Sequence, residues 1–298
     1  MSERAVRRNP GPSWGFRVIL ALDRLVPEAI FRPIRQLGAW GAVALMPEER
    51  RHSREYLTAV LGRPPRWIDV YRQFSAFTET LMLKLRVANG RYLQARWAPG
   101  PDDFRQTLTK GEQALLGSLH LGHSDLTGFV FSQRMKHRIA MVRERRGNAA
   151  DVDRLLAHFG GWVAMIWVNE SENLLFALKN AIADGRSIVM KCDRFEYTAK
   201  TEAFDFLGAR RRFPTTIYHL GLIFHLPVLH AFAVPGARGE TVVYSSPTWR
   251  ANPEQSRADN LKLAHDHFQA FLSLVETVLR EQPYHWFNFL PLNPEVTS

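Results

Sequence analysis

One cysteine, Cys192, stands in a chain of 298 residues. That scarcity excludes an internal disulfide framework and any multi-cysteine zinc site, and it fits a reducing compartment. Acidic residues are also short: 29 Asp and Glu face 39 Lys and Arg, a net charge of +10. The excess favours anionic partners such as nucleic acid, acidic proteins or anionic lipid, without choosing among them. No apolar stretch reaches the roughly 18 to 20 uninterrupted residues of a spanning helix. The opening MSERAVRRNPGPSWG is polar and lacks the apolar block and cleavage site of a secretory signal, so the expectation is a protein that stays in the cytoplasm. There is no internal repeat, low-complexity segment, Gly-x-Ser-x-Gly elbow or His-Glu-x-x-His helix.

What is present begins with an unusual N-terminal stretch. From Trp14 to Met46 the chain is apolar but interrupted by Arg17, Asp23, Arg24, Pro27, Arg32, Pro33 and Arg35. Bulky apolar residues interleaved with arginines are the composition of helices that lie in a bilayer interface. Arg4, Arg7 and Arg8, just before this stretch, add attraction to an anionic membrane surface. The alternative is an N-terminal pair of core helices. Next, PEERRHSREYLTAVLG opens on Pro47 and closes at Gly62, and Trp67, Val70, Phe74, Phe77, Leu81 and Leu85 recur at steps of three or four, so two further helices are expected.

From Glu112 the pattern changes. Short apolar runs QALLGSLH, RIAMV, WVAMIWV and SIVMKC alternate with helix-like pieces at 124–134, 149–159 and 170–184, which predicts an α/β fold with a mostly parallel central sheet flanked by helices. After Arg194 a polar, basic loop or hairpin is expected, then a helix opening on Pro214, strands PVLHAFAV and TVVYSS, and a long helix from about Pro253 to Glu281. The expected organisation is a helical N-terminal region, 1–90, on an α/β domain, 91–298, as one continuous unit.

In an open α/β sheet, ligands bind at the carboxyl ends of the strands. The run LLGSLH ends at His120, and LGHSD turns into a helix, so His120 and Asp125 fall at that rim. A carboxylate on one imidazole nitrogen fixes the tautomer and stabilises the imidazolium formed when the other nitrogen takes a proton. A base with no protein nucleophile beside it suits chemistry in which a substrate hydroxyl is the nucleophile. The bland reading of the same pair is a helix N-cap at Ser124 or Asp125. Other readings are a metal-dependent hydrolase built on His120, His123 and Asp125, a thiol nucleophile at Cys192, a nucleic-acid binder and a non-enzymatic lipid-binding module. The first three each have a weakness: a further metal ligand is missing, Asp193 would raise the thiol pKa, and no nucleic-acid motif is present; the lipid-binding module stays open, because it would share the apolar pocket and the membrane face.

The block HLGHSD resembles the His-Phe/Leu-Gly-Asn-Trp-Glu block of the bacterial lipid A late acyltransferases, a branch of the lysophospholipid acyltransferase superfamily marked by His-x4-Asp/Glu. Further stretches resemble the family in order: RHSREYL, MVRERRGNAADVDRLL, ADGRSIVMKCDR, FDFLGARRRFPTTIYHLGLIFHLPVLHAFA and QPYHWFNFL. The resemblance therefore covers nearly the whole chain. It implies a glycerolipid acyltransferase-like fold and acyl transfer from an acyl carrier protein or CoA thioester, as co-substrate and without a cofactor or metal, to a lipid or glycolipid hydroxyl. His120 would be the base and Asp125 its partner. Backbone N–H groups at Gly122, or Arg143, would stabilise the oxyanion. Asp193 and Arg194 would orient loops and acceptor, and Gly208, Phe213 and Pro214 would help form the acceptor and acyl pocket. Acyl carrier protein, a membrane lipid acceptor and an anionic membrane surface are the implied partners, with no nucleic acid. The implied location is the cytoplasmic face of the bacterial inner membrane, peripheral or monotopic. His123-Ser124 replace the family's Asn-Trp, and Thr216 stands where a glycine is usual; both differences bear on the acceptor. Relatives acylate lipid A precursors or act in glycolipid, ornithine lipid or aryl polyene pathways.

Overall fold

The computed structural model describes residues 19, 21–23, 25–145, 150–171, 173–195 and 200–296. After helical residues at 19, 21–23 and 25 come α1 (Glu28–Leu45), α2 (Pro47–Leu61) and α3 (Trp67–Ala88). α2 starts on a proline, whose missing N–H costs nothing there, and stops at Gly62 in the left-handed region, φ +64. The first turn of α3 is closed by Asp69, whose carboxylate accepts the Arg66 N–H at 2.8 Å.

α1 buries Phe31, Arg35, Ala39 and Val43 and turns Ile30, Ile34 and Leu37 outward. Arg35 is therefore not part of a basic outer face; its guanidinium is buried and pairs with Glu28 and Glu79 at 2.6 and 3.2 Å. Arg4, Arg7, Arg8, Trp14, Arg17 and Arg24 lie outside the described residues. Among the described residues, no helix is long and apolar enough to cross a membrane.

The rest is an α/β layer. In chain order the elements are β1 (Ala95–Trp97), α4 (Asp103–Lys110), β2 (Leu115–Ser118), α5 (Ser124–Arg134), β3 (Ile139–Arg143), α6 (Ala150–Phe159), β4 (Val163–Trp167), α7 (Leu174–Ala183) and β5 (Ser187–Lys191). A hairpin, β6 (Thr201–Phe206) and β7 (Ala209–Pro214), precedes α8 (Thr216–Phe224), β8 (Val228–Pro235), β9 (Thr241–Ser245) and α9 (Arg257–Glu281). Seven strands form one sheet in the order β1-β9-β8-β2-β5-β3-β4, and every pairing is parallel except β8 with β9. The mixed α/β fold with a mostly parallel sheet is thus as the alternation of runs predicts.

Three helix starts differ from the sequence reading. The helix expected from 170 starts at Leu174, where the Asn173 side chain caps it by accepting the Phe176 N–H at 3.1 Å. Pro214 ends β7, paired with Thr201 at the close of the hairpin ladder, and the helix starts at Thr216; a proline lacking an N–H is tolerated at a ladder's end. The last helix starts at Arg257 because Ser256 caps it, its Oγ accepting the Asp259 N–H at 3.1 Å. Among the described residues, one apolar core lies between the sheet and α2, α3, α7, α8 and α9, a second between the sheet and α4, α5 and α6, and a small third joins Phe31 of α1 to Met82 and Leu85 of α3. The β2 rim therefore sits at the centre of the sheet, with cover on both faces.

Candidate active site

β2 and β5 are parallel neighbours with a register that runs from Leu115–Ile188 to Ser118–Lys191. Two residues beyond those strand ends stand His120 and Asp193, and their side chains meet: His120 Nδ1 lies 2.8 Å from Asp193 Oδ1. Asp193 Oδ2 accepts the His120 backbone N–H at 2.8 Å and the Trp286 indole N–H at 3.0 Å. The Asp193 side chain is fully buried and that of His120 keeps 18% of its surface exposed.

Burial pushes the His120 imidazole down to about 4, helped by the positive Arg194, and the Asp193 charge only partly offsets this. Burial opposes ionisation of Asp193 as well, yet its hydrogen bond to His120 and the positive charges around it hold the carboxyl well below its ordinary value. At neutral pH the pair is a carboxylate and a neutral imidazole. An ionised acceptor at Nδ1 assigns the ring proton to that nitrogen and leaves Nε2 with its lone pair. No described residue bonds Nε2.

Asp125 is therefore not the partner of the His120 ring. Located in the first turn of α5, it faces three cations: Lys191 Nζ at 2.7 Å, Lys84 Nζ at 3.2 Å and Arg143 Nη2 at 3.3 Å. Burial pushes its pKa up, but the three cations outweigh that and keep it well below the ordinary carboxylate range. The reason for the difference is geometric. The turn at Gly122 separates His120 from the helix start, while the parallel pairing of β2 with β5 delivers a second carboxylate directly beside the ring.

The Gly122 amide is also committed. It donates to the His285 carbonyl at 2.7 Å, and the neighbouring His123 amide donates to Ala233 O at 2.8 Å, so neither is an open oxyanion donor. Glycine is required at position 122: φ is +47, and a Cβ there would stand 2.4 Å from Ala233 O. Cations stand at the same rim. Arg143 has a buried Nη1 with no hydrogen-bond partner among the described residues, and Lys191 donates to Leu119 O at 2.7 Å. Arg194 Nε donates to Asn288 Oδ1 at 2.9 Å.

The other expected site residues lie elsewhere. Gly208, φ +75, forms with Leu207 the tip of the β6–β7 hairpin, and the Leu207 N–H is held by Glu276. Phe213 is fully buried against Phe204, Phe206 and Phe268, and Pro214 ends the strand. Their environment is hairpin geometry and core packing.

The rival chemistries find little here. His123 Nδ1 pairs with Thr241 Oγ1 at 2.8 Å, so His120, His123 and Asp125 each turn to a different partner instead of converging. The Cys192 thiol is buried and pushed up to about 12 by that burial and by Asp193, which leaves no thiolate at neutral pH.

Sequence reasoning missed Lys84 and Lys191, and it missed the role of the segment after α9. That segment folds back over the His120–Gly122 turn: Phe287 N donates to His120 O at 2.7 Å while Gly122 N donates to His285 O. Its sequence signals were the aromatic run YHWFNF and the resemblance of QPYHWFNFL to the family. An apolar cavity of about 50 Å³ lies between the sheet, α4 and α5; Ser118 and Ser124 line it beside the site, with Phe104, Leu108, Phe131 and Val243.

Comparison with known proteins adds the following. Residues 10–292 match the family model described as bacterial lipid A biosynthesis acyltransferase. Among solved structures, the 1-acyl-sn-glycerophosphate acyltransferase of Thermotoga maritima matches at 12% identity and a TM-score of 0.40, over 86% of this chain and 98% of that one. No curated protein matches the chain.

Proposed function

Since this chain belongs to the bacterial lipid A biosynthesis acyltransferase family, we propose that it moves a fatty acyl group from a thioester, on acyl carrier protein or CoA, to a hydroxyl of a lipid or glycolipid. His120 is the general base and Asp193, in place of Asp125, is the carboxylate that orients it. The observation carrying this reading is the 2.8 Å contact between a buried, ionised carboxylate and Nδ1 of a neutral, partly exposed imidazole.

Each step follows from that arrangement. Nε2 takes the proton of the acceptor hydroxyl as its oxygen bonds to the thioester carbonyl carbon, and the carbonyl electrons move onto oxygen. When the oxyanion collapses, the C–S bond breaks and the departing sulfur takes the proton back from the imidazolium, which Asp193 stabilises meanwhile. With the Gly122 amide engaged, the oxyanion is stabilised by cationic side chains at the rim, Arg143 first and Lys191 second. The sequence of steps uses no acyl-enzyme and no cofactor.

The cavity beside Ser118 and Ser124 is the entry for the acyl chain in this scheme. The exposed stripe of Ile30, Ile34 and Leu37, 57%, 46% and 70% exposed, together with the net charge of +10, supports peripheral attachment to the cytoplasmic face of an anionic inner membrane. The same charge suits an acidic carrier protein. Intact-lipid mass spectrometry tests the reading, using wild-type and His120→Ala protein with mixed acyl carrier protein thioesters and a total bacterial lipid extract. One acyl mass should be gained by a lipid with the wild type alone. Lipid binding by both proteins with transfer by neither would favour a lipid-binding module instead.

A further inference from the structure

Among the described residues three groups donate to the Asp193 carboxylate, and two belong to His120 itself: its ring Nδ1–H and its backbone N–H. The third comes from residue 286, far along the chain, at the end of the segment that follows α9. Trp286 is 2% exposed, and its indole nitrogen is a donor with no acceptor capacity. Buried, it must find an acceptor, and the one it has is the carboxylate beside the catalytic ring.

The backbone around Trp286 is anchored independently. Its carbonyl accepts the Gln73 side-chain amide at 2.6 Å, and Gln73 in turn accepts the Ser53 hydroxyl at 2.5 Å. The adjoining amide of Phe287 donates to His120 O, and His285 O accepts from Gly122. Ring edges from Tyr56 and Phe206 fix the indole at centroid distances of 4.9 and 5.5 Å. The indole is thus locked by α2, α3 and the β6–β7 hairpin before it reaches Asp193. Rotation about the Asp193 Cβ–Cγ bond would turn its first oxygen away from Nδ1, and the indole, joining the His120 amide on the second oxygen, opposes that rotation.

We propose that Trp286 is a positioning residue for the reaction: its indole N–H fixes the Asp193 carboxylate, and through it the orientation and tautomer of His120. This rests on His120 acting as the base proposed above. It implies that the Trp286 indole has a role at the site that reaches beyond sealing the core.

The test replaces the N–H while keeping the shape. Trp286→Phe is the simple variant, and incorporation of 3-benzothienylalanine, in which sulfur replaces the indole N–H, guards against a folding defect. Tyr284→Phe is the control: it removes a hydrogen bond of the same segment, from Tyr284 OH to Asp69 at 2.9 Å, without touching Asp193. Two readouts are made. Nitrogen-15 histidine NMR of the full chain reports the His120 tautomer and its titration, with no substrate needed. Steady-state transfer from acyl carrier protein thioesters to bacterial lipid extract reports kcat and KM.

Loss of the N–H should leave folding intact, lower kcat about tenfold with KM nearly unchanged, and raise the titration midpoint of His120, since Asp193 then shares its charge with one donor fewer. The Tyr284→Phe control should match the wild type in both readouts. An unchanged His120 spectrum and an unchanged kcat in a folded isostere would overturn the proposal and leave Trp286 as packing. A shifted spectrum with no transfer by any protein, wild type included, would support the positioning role and count against the proposed reaction or its substrates.

Discussion

Two aspartates at one strand rim carry the same charge but keep different company: the Asp193 side chain is fully buried, and that of Asp125 keeps 14% of its surface exposed. Asp193 faces a neutral imidazole, an indole and a backbone amide. Asp125 faces Lys84, Lys191 and Arg143. Both stay ionised, for different reasons: hydrogen bonds with nearby positive charge in the first case, three direct ion pairs in the second. A carboxylate holding a neutral ring suits the orienting role proposed for Asp193, whereas one neutralising three cations organises charge. Residue type and charge alone do not distinguish the two positions; the partner does.

The sharpest way to break that comparison is to neutralise each carboxylate in turn. Asp193→Asn presents an amide to His120 and disturbs the tautomer, so kcat should fall on the order of 10³-fold, as steady-state transfer measures. Asp125→Asn leaves the His120 contact in place but strands three cations, so its main cost should be stability, about 3 kcal/mol by urea denaturation, with the smaller loss in kcat. If Asp125→Asn instead removes activity as fully as Asp193→Asn at unchanged stability, the assignment of the two carboxylates is reversed.

Acid separates the regions further. His120, His123 and His285 are each pushed by burial to about 4, below the ordinary 6.5. Above about 6.5 all three are neutral in folded and unfolded chains alike. Between 6.5 and 4 the unfolded chain takes up protons that the folded one refuses, so stability should decline steadily across that interval. Denaturation midpoints measured at stepped pH would check this. A midpoint flat down to pH 4 would mean that these rings are more solvated than their packing indicates.

The smallest effect is expected at Gly208. Its left-handed φ of +75, with open space around the missing Cβ, makes Gly208→Ala a purely conformational penalty of about 1 kcal/mol. Transfer activity should be unchanged, because the hairpin tip holds no group of the dyad. A loss of kcat without a loss of stability would return the hairpin tip to the site.

Much of the fold was legible. Helix boundaries at Pro47 and Gly62, the strand runs from Leu115 to Lys191 and the pair β8–β9 follow from caps and apolar runs, which act over a few residues. Pro214 misled because proline suits both a helix start and the end of a ladder, and only the partner Thr201 decides between them. Cys192 was readable as packing because Asp193 is its immediate neighbour. Lys84 and Lys191 carried no local signal, since nothing in neighbouring residues shows that α3 and the end of β5 converge on one aspartate of α5.

By itself the sequence determined the alternating α/β pattern, the basic surplus and the placement of His120 at a strand rim. It could also place Asp193 at another strand's end. Which carboxylate meets the imidazole was decided by strand order, because β5 lies beside β2 in a register that sets residue 120 against residue 193. Periodicity and capping are local, so they are written in neighbouring residues. Strand adjacency is a packing choice made by the whole chain, and the dyad exists only once that choice is made.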